Sequence, residues 1–365
     1  MEVNDIVYGR SVIDNEILQD LIKSRPFQRL KGVCQQGVPR GYITQNQPDF
    51  SRYEHSIGVM LALKRFNAPL EEQVAGLLHD VSHTAFSHLV DYVFGSGVGE
   101  DYQDSIHWEF FKEGSELSDI LKSHSIDPKR ISKPWLYPLL EREQPEMCAD
   151  RFDYTLRYFA HIGGNDFVTT SLSSAINRDS TILFTSFPQA REFAIRHLKV
   201  WNGVLGGYGE LYQDMRVRYY LLSSALIEAI ETGLIKRSDF DGSDLHVMKK
   251  LEASKSKSIT RILNVLKNDM EFELSDSRKN QKVILFSKFR YVDPIYLTEG
   301  KARRVSDTDV EFEKLVKEVR ERNKAGVGIA SIKGIELPIL PTRSGTNTHE
   351  QKKRAQGDLD PRHTG

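Results

Sequence analysis

The chain is poor in cysteine. Only Cys34 and Cys148 occur in 365 residues, far apart and in no metal-type spacing. That pattern excludes a disulfide framework and a closed thiolate zinc site, and it suits two small thiols in a reducing cytosol. An excess of either charge is also missing: Lys+Arg 50 against Asp+Glu 51 leaves a formal charge of -1. A dedicated nucleic-acid binder carries a basic excess, so nucleic acid is not the expected partner. No run approaches the roughly 18 apolar residues that a membrane span requires, and the opening MEVNDIVYGR is too mixed and charged for a signal peptide. The expected protein is soluble and cytoplasmic, with no membrane partner. Internal repeats are absent as well.

What is present is an ordinary globular composition, 39% hydrophobic and 28% charged, in a chain long enough for one large domain or two smaller ones. Turn signals crowd the first fifty residues (Arg25-Pro26, Gly37, Pro39, Gly41, Pro48), which predicts short helices and an irregular loop. From Tyr53 to about Ala160 the apolar spacing is mostly helical. Pro69, Glu71 and Glu72 suit a helix start, and Val74, Leu77, Leu78 and Val81 then share one side at about 100° per residue. His79 and His83 fall on the opposite side, flanked by Asp80. A second helix lines up Asp150, Tyr154, Arg157 and His161 opposite Phe152, Thr155, Leu156, Phe159 and Ile162. Tyrosine and histidine in place of Lys and Glu point that stripe into a cleft.

Residues 197–235 read as further helix, broken by Gly203, Gly206, Gly207 and Gly209, with Gly233 suited to a C-cap. Beyond about residue 240 the character changes. KVILFSKFRYVDPIYL has strand composition broken at Asp293-Pro294, and DTDVEFEKLVKEVRER is a well-capped helix. Residues 342–365 are polar and basic, with the composition of a disordered tail. The expected fold is mainly α: a helical domain over 1–240, with its chemistry within 52–161, then a smaller α/β lobe over 241–341.

The chemistry-bearing residues sit in three short segments: SRYEHSIG with His55, LLHDVSHTAFSH with the adjacent pair His79-Asp80, and CADRFDY with Asp150. A lone histidine on a helix is usually an ordinary core or surface residue. Four nitrogen and oxygen donors in this order are what a hydrolytic metal site needs. Without thiolate, the set suits a divalent ion: iron, manganese, magnesium, zinc, cobalt or nickel. Arg52 and Arg151 lie beside these donors in sequence, placed to hold phosphate groups by paired hydrogen bonds.

Residues 25 to 165 resemble the HD-domain phosphohydrolases, in particular the deoxynucleoside triphosphate triphosphohydrolase branch that includes the vertebrate SAM-and-HD-domain protein. FQRLKGVCQQG, SRYEHSIGV, AGLLHDVSHTAFSH, ADRFDY and AHIGG follow the family's order and spacing, and KFRYVDPIYL resembles the C-terminal lobe of bacterial relatives. The resemblance implies metal ligands at His55, His79, Asp80 and Asp150. It places His83 and His88 at positions that contact phosphates or organise the attack, and His107 at a catalytic histidine able to protonate the leaving 5′ oxygen. Gln35, Arg52, Arg151 and Tyr154 match substrate contacts. The implied reaction cleaves a nucleoside triphosphate to nucleoside and tripolyphosphate, in a dimer or higher oligomer.

Three positions depart from the family pattern. Trp108 stands between His107 and Glu109, where the family places glutamate directly after the histidine. Tyr158 replaces an aspartate near the sugar 3′ hydroxyl. The family's later phosphate-binding arginine and sugar-gating tyrosine have Arg216, Arg218 and Tyr219 as nearest candidates, in an uncertain register. Two other readings therefore stand beside the first: an HD phosphohydrolase on a ribonucleotide, monophosphate or modified nucleotide, and a non-catalytic nucleotide sensor.

Overall fold

The computed structural model describes residues 1–44, 47–95, 97–203, 208–275 and 280–337, with the backbone alone at 208–211. The expected tail lies outside the described residues, as do Gly206 and Gly207. The chain opens with the hairpin β1 (Glu2–Asp5) and β2 (Gly9–Val12), then α1 (Glu16–Lys23) and α2 (Arg25–Arg29). α3 (Arg52–Arg65) starts at a capping box: Ser51 Oγ accepts from the Glu54 N–H at 3.2 Å, and Glu54 accepts from the Ser51 N–H at 2.8 Å. Next come α4 (Leu70–Leu78), α5 (Tyr102–His107), α6 (Glu116–Ser123), α7 (Pro128–Ile131) and α8 (Ala149–His161). α9 (Asn165–Ser174) leads to β3 (Ala175–Arg178), β4 (Thr181–Phe184), α10 (Phe187–Asn202) and α11 (Tyr208–Glu231). The remainder comprises α12 (Asp244–Glu252), α13 (Lys257–Lys267), β5 (Phe272–Leu274), β6 (Val283–Leu285), β7 (Ile295–Thr298), β8 (Lys301–Arg304), α14 (Val310–Ala325) and β9 (Val327–Ile332).

The fold is mainly α, as the spacing predicts. The helix expected over residues 197–235 is two, α10 and α11. α10 ends at Gly203, whose left-handed φ of 62° closes the helix. The strands form small sheets in the orders β1-β2, β3-β4-β7-β8 and β5-β9-β6. The middle sheet crosses the expected division at residue 240. β4 pairs parallel with β7, Leu183 opposite Ile295, so one sheet takes two strands from each side of that boundary. The apolar faces of those short strands pack against α10 and its neighbours, through Phe184, Phe193 and Tyr296.

A correction concerns α4. The helix begins after Pro69 as expected but ends at Leu78, with His79 as its C-cap. Val81 keeps the helical apolar spacing because it is buried, yet it does so from a turn closed by Val81 N–H to Leu78 O at 3.1 Å. His79, Asp80 and His83 thus come from a turn rather than one helix face. Glu72, buried in the first turn, accepts from the N–H groups of Leu139 and Leu140 at 2.7 and 3.1 Å.

Two buried apolar clusters meet at this turn. Val81 belongs to the one built on α1, α3, α4, α8 and α10, whereas Ala85 and Phe86 belong to the one built on α11, α12 and α13. Asp244, in the first turn of α12, pins the junction. Its carboxylate accepts from the Cys34 N–H at 2.8 Å and the Phe86 N–H at 2.7 Å, tying together the two loops that flank the site.

Burial pushes the Asp244 carboxyl up to about 7, against the pull of the two backbone donors and Arg29. Between about pH 4, where the unfolded chain titrates, and about 7 the folded state keeps a proton that the unfolded chain has lost. The contribution of this group therefore becomes less favourable as pH rises. The stability lost in Asp244→Asn should shrink between about pH 5 and about pH 8; a constant or growing loss in urea titrations refutes this.

Candidate metal centre

His55, on the second turn of α3, is completely buried and has both ring nitrogens engaged. Nδ1 lies 2.8 Å from Asp153 Oδ2, and Nε2 lies 2.9 Å from Asp150 Oδ1. With the Nδ1 proton given to Asp153, Nε2 presents a lone pair to a carboxylate oxygen, so a cation or a second proton must lie between them. His79 is arranged similarly: Nδ1 donates to the Gly76 carbonyl at 2.8 Å, which turns the Nε2 lone pair inward, where it has no hydrogen-bond partner. That nitrogen stands 3.4 Å from Asp80 Oδ1 and 3.6 Å from Asp150 Oδ1, and His55 Nε2 stands 3.7 Å from Asp80 Oδ2. Donor atoms sharing one ion at about 2.0–2.2 Å stand about 3 Å or slightly more apart. This set fits a divalent ion, which His55, His79, Asp80 and Asp150 could hold.

The electrostatics agree. Burial alone lowers an imidazole pKa, yet the bonds to Asp150 and Asp153 raise that of His55, and Asp80 with Asp150 pushes His79 up to about 9. Burial also opposes ionised carboxylates, but Arg52, His79 and His83 hold Asp80 well below the carboxylate range. His55 and His79 do the same for Asp150. Without an ion, the cluster retains protons that an ion would displace.

The other singled-out residues divide into those that line this cluster and those that hold it in place. Arg52 is buried; Nη1 donates to Asp80 Oδ2 at 2.7 Å and Nε to Ser87 Oγ at 3.0 Å, so it braces a ligand. His83 Nε2 is 3.3 Å from Asp80 Oδ1, and its ring meets His88 edge to face at 4.7 Å. His88 Nδ1 in turn lies 3.4 Å from Asp91. Arg151 donates to Glu141 at 3.1 Å and to the Glu146 carbonyl at 3.2 Å. Tyr154 stands 6.3 Å from the His55 ring and packs on His197 and Trp201, and Tyr158 also packs on Trp201, at 5.7 Å. Gln35 Oε1 and Arg216 Nε are buried without a partner.

Two of the candidates on α11 bind within the protein. Arg218 is 1% exposed and its guanidinium is consumed by Asp214 at 2.6 Å and the carbonyls of Tyr42 and Leu266 at 2.7 and 2.6 Å. It ties α11 to its neighbours through Nε and Nη1. Tyr219 donates to the Gln36 carbonyl at 2.8 Å and so fixes the Gln35 loop. The stripe on α8 also divides: Arg157 is buried against Asp153 and Asp5, and His161 stacks on Phe50 at 5.2 Å.

Sequence reasoning missed Asp153 and Ser82. Asp153 is buried and orients His55, while Arg157 holds it bidentately with Nε and Nη2 both at 3.0 Å. Its i,i+4 spacing to Arg157 was the available signal. Ser82 Oγ lies 2.9 Å from His107 Nδ1, whereas Glu109 points away to Lys112 on the surface. The histidine's partner has therefore moved from the following glutamate to a serine two residues after Asp80. His107 Nε2 is buried and unpartnered.

Asp153→Asn keeps all four donors but loses the charge that orients His55, and should weaken metal binding by about 10–100-fold. His79→Ala or Asp150→Ala should abolish metal retention outright. Metal content after gel filtration checks both, and full retention in either alanine variant refutes the ligand set.

The HD domain matches residues 52–155, the stretch that supplies these donors. The uncharacterized protein YdhJ of Bacillus subtilis is 34% identical over 348 residues, covering 91% of this chain and 100% of YdhJ. The metal-dependent phosphohydrolase cns2 of Cordyceps militaris is 39% identical over 155 residues, 42% of this chain and 44% of that one. The deoxynucleoside triphosphate triphosphohydrolase SAMHD1 homolog of Dictyostelium discoideum is 25% identical over 342 residues, 84% of this chain and 62% of that protein. No helix among the described residues is long and apolar enough to cross a membrane. A buried His/Asp donor cluster inside a matching HD domain, with 34% identity to YdhJ over 91% of this chain, makes this chain a member of the HD-domain family and a metal-dependent phosphohydrolase.

Proposed function

We propose that the enzyme hydrolyses (deoxy)nucleoside triphosphates at the α-phosphorus, releasing nucleoside and tripolyphosphate. The observation that carries this reading is His107. It is buried beside the cluster, fixed through Nδ1 by Ser82, with Nε2 free for a substrate atom. A group so placed suits protonation of an alkoxide, which is the leaving group when water attacks the α-phosphorus and the bond to the 5′ oxygen breaks.

Each residue then has a task. His55, His79, Asp80 and Asp150 would hold a divalent ion, which would supply Lewis acidity toward water and a phosphoryl oxygen. Asp153 and Arg52 keep His55 and Asp80 in position. His83, His88, Arg151, Arg216 and Gln35 face the phosphates, and Tyr154 and Tyr158, with Trp201 and His197, wall the nucleoside end. Burial, then His79, holds the His107 imidazole down to about 4 in the protein alone. The negative charge of the bound triphosphate raises that value and loads the proton that the 5′ oxygen takes. The reading extends to a dimer or higher oligomer, which sedimentation tests directly.

Product analysis with a panel of dNTPs and NTPs over the metal-loaded enzyme tests the reaction. Nucleoside plus tripolyphosphate is expected; monophosphate plus pyrophosphate moves the broken bond, and no turnover across the panel overturns the substrate class. His107→Ala should keep its metal while lowering kcat by about 10²–10⁴. Loss of substrate binding instead refutes its place as proton donor.

A further inference from the structure

The C-terminal lobe contributes a wall to this cleft. Residues Phe286 to Tyr291 cross it as a strap tied at several points. Tyr92 donates to the Phe286 carbonyl at 3.1 Å, Ser287 Oγ bonds Tyr212 at 2.6 Å and Asn323 at 2.9 Å, and Asn202 clasps both backbone groups of Arg290 at 2.6 and 3.2 Å. The strap presents two cations, Lys288 and Arg290. Asn202, which holds Arg290, directly follows Trp201, whose ring packs on Tyr154 at 4.9 Å beside His55, and this places Arg290 at the cleft.

Glu100 answers both cations. It pairs with Arg290 and lies 3.7 Å from Lys288 Nζ. Its backbone is held left-handed, at φ 54°, directly after the short turn Gly97–Gly99. That conformation disfavours any side chain beyond Cα and is retained only where other contacts impose it. The strap is fixed at several points; the carboxylate is delivered by a strained, glycine-flanked turn. The Arg290 side chain stays 25% exposed, within reach of a ligand. Lys288 and Arg290 share the one carboxylate of Glu100, and a phosphate dianion carries the charge and the oxygens to meet both.

We propose that Lys288 and Arg290 form the subsite for the distal phosphate of a polyphosphate ester, and that Glu100 fills it in the substrate-free enzyme and is displaced on binding. This rests on reading the cleft as a phosphohydrolase site. It makes the C-terminal lobe a reader of phosphate-chain length.

The test is calorimetric binding of inorganic tripolyphosphate, with orthophosphate as the short-chain control, to the metal-loaded full chain. Arg290→Gln should weaken tripolyphosphate binding by about tenfold or more and affect orthophosphate less. Glu100→Gln should tighten it, by about three- to tenfold, because the internal competitor is removed. Opposite effects from the two partners of one ion pair separate a displaced occupant from a structural bridge. If Glu100→Gln weakens binding or leaves it unchanged, the proposal fails. It fails equally if Arg290→Gln binds like the wild type. Melting temperature and metal content accompany each variant, and Lys288→Gln, at the more exposed cation, repeats the Arg290 test should that variant not fold. An enzyme that cleaves no nucleoside triphosphate yet shows the opposite effects refutes the proposed reaction and leaves the subsite standing. Turnover with neither effect refutes the subsite alone.

Discussion

The site depends on one buried ion network. Asp153 lies between His55 and Arg157, and Arg157 continues to Asp5 of the N-terminal hairpin at 2.9 Å. All of these charges are withdrawn from water, which is tolerable only because each finds partners of opposite charge in good geometry. Asp5 also accepts from the N–H groups of Val7 and Tyr8 at 2.8 and 3.0 Å, so the hairpin turn completes the network. Packing around it is close: a Cβ at Gly58 would meet Arg157 Nη2 at 2.0 Å and Asp153 Oδ1 at 2.1 Å. α3 and α8 can cross at this distance only because residue 58 is glycine, and that crossing sets His55 opposite Asp150.

Around the network, positioning is layered. Each donor is aimed by something that is not itself a donor: His55 by Asp153, His79 by the Gly76 carbonyl, Asp80 by Arg52. Such partners fix the tautomer and the direction of the lone pair, and with them the affinity for an ion. Asp244 plays the same part at a distance, holding the Cys34 and Phe86 loops that border the cleft.

How much of this was legible in sequence follows from the range of each interaction. His55, His79, Asp80 and Asp150 stand out because each sits in a short segment with its own pattern, and the structure brings their donor atoms together. The mainly helical class was legible from apolar spacing, and so was the capped helix α14. The end of α4 was not, since Val81 preserves the helical period from a turn. Arg157 looked like part of a cleft-facing stripe because its partner Asp5 lies 152 residues away. The Arg290–Glu100 pair spans 190 residues and leaves no local trace. Arg218 shows the opposite case: a basic residue on the expected helix, bound to carbonyls and Asp214.

The pairing of β4 with β7 gives the molecule a history as well as a shape. A ribosome extends a chain at about 5–20 residues per second from its N-terminus. All four metal donors emerge before Leu183, whereas the strand that pairs with it begins at Ile295. During synthesis the donor cluster can close while the wall from Phe286 to Tyr291 does not yet exist. The metal-site donors are therefore made well before the strand that pairs with β4, and that pairing joins an early segment of the chain to a late one.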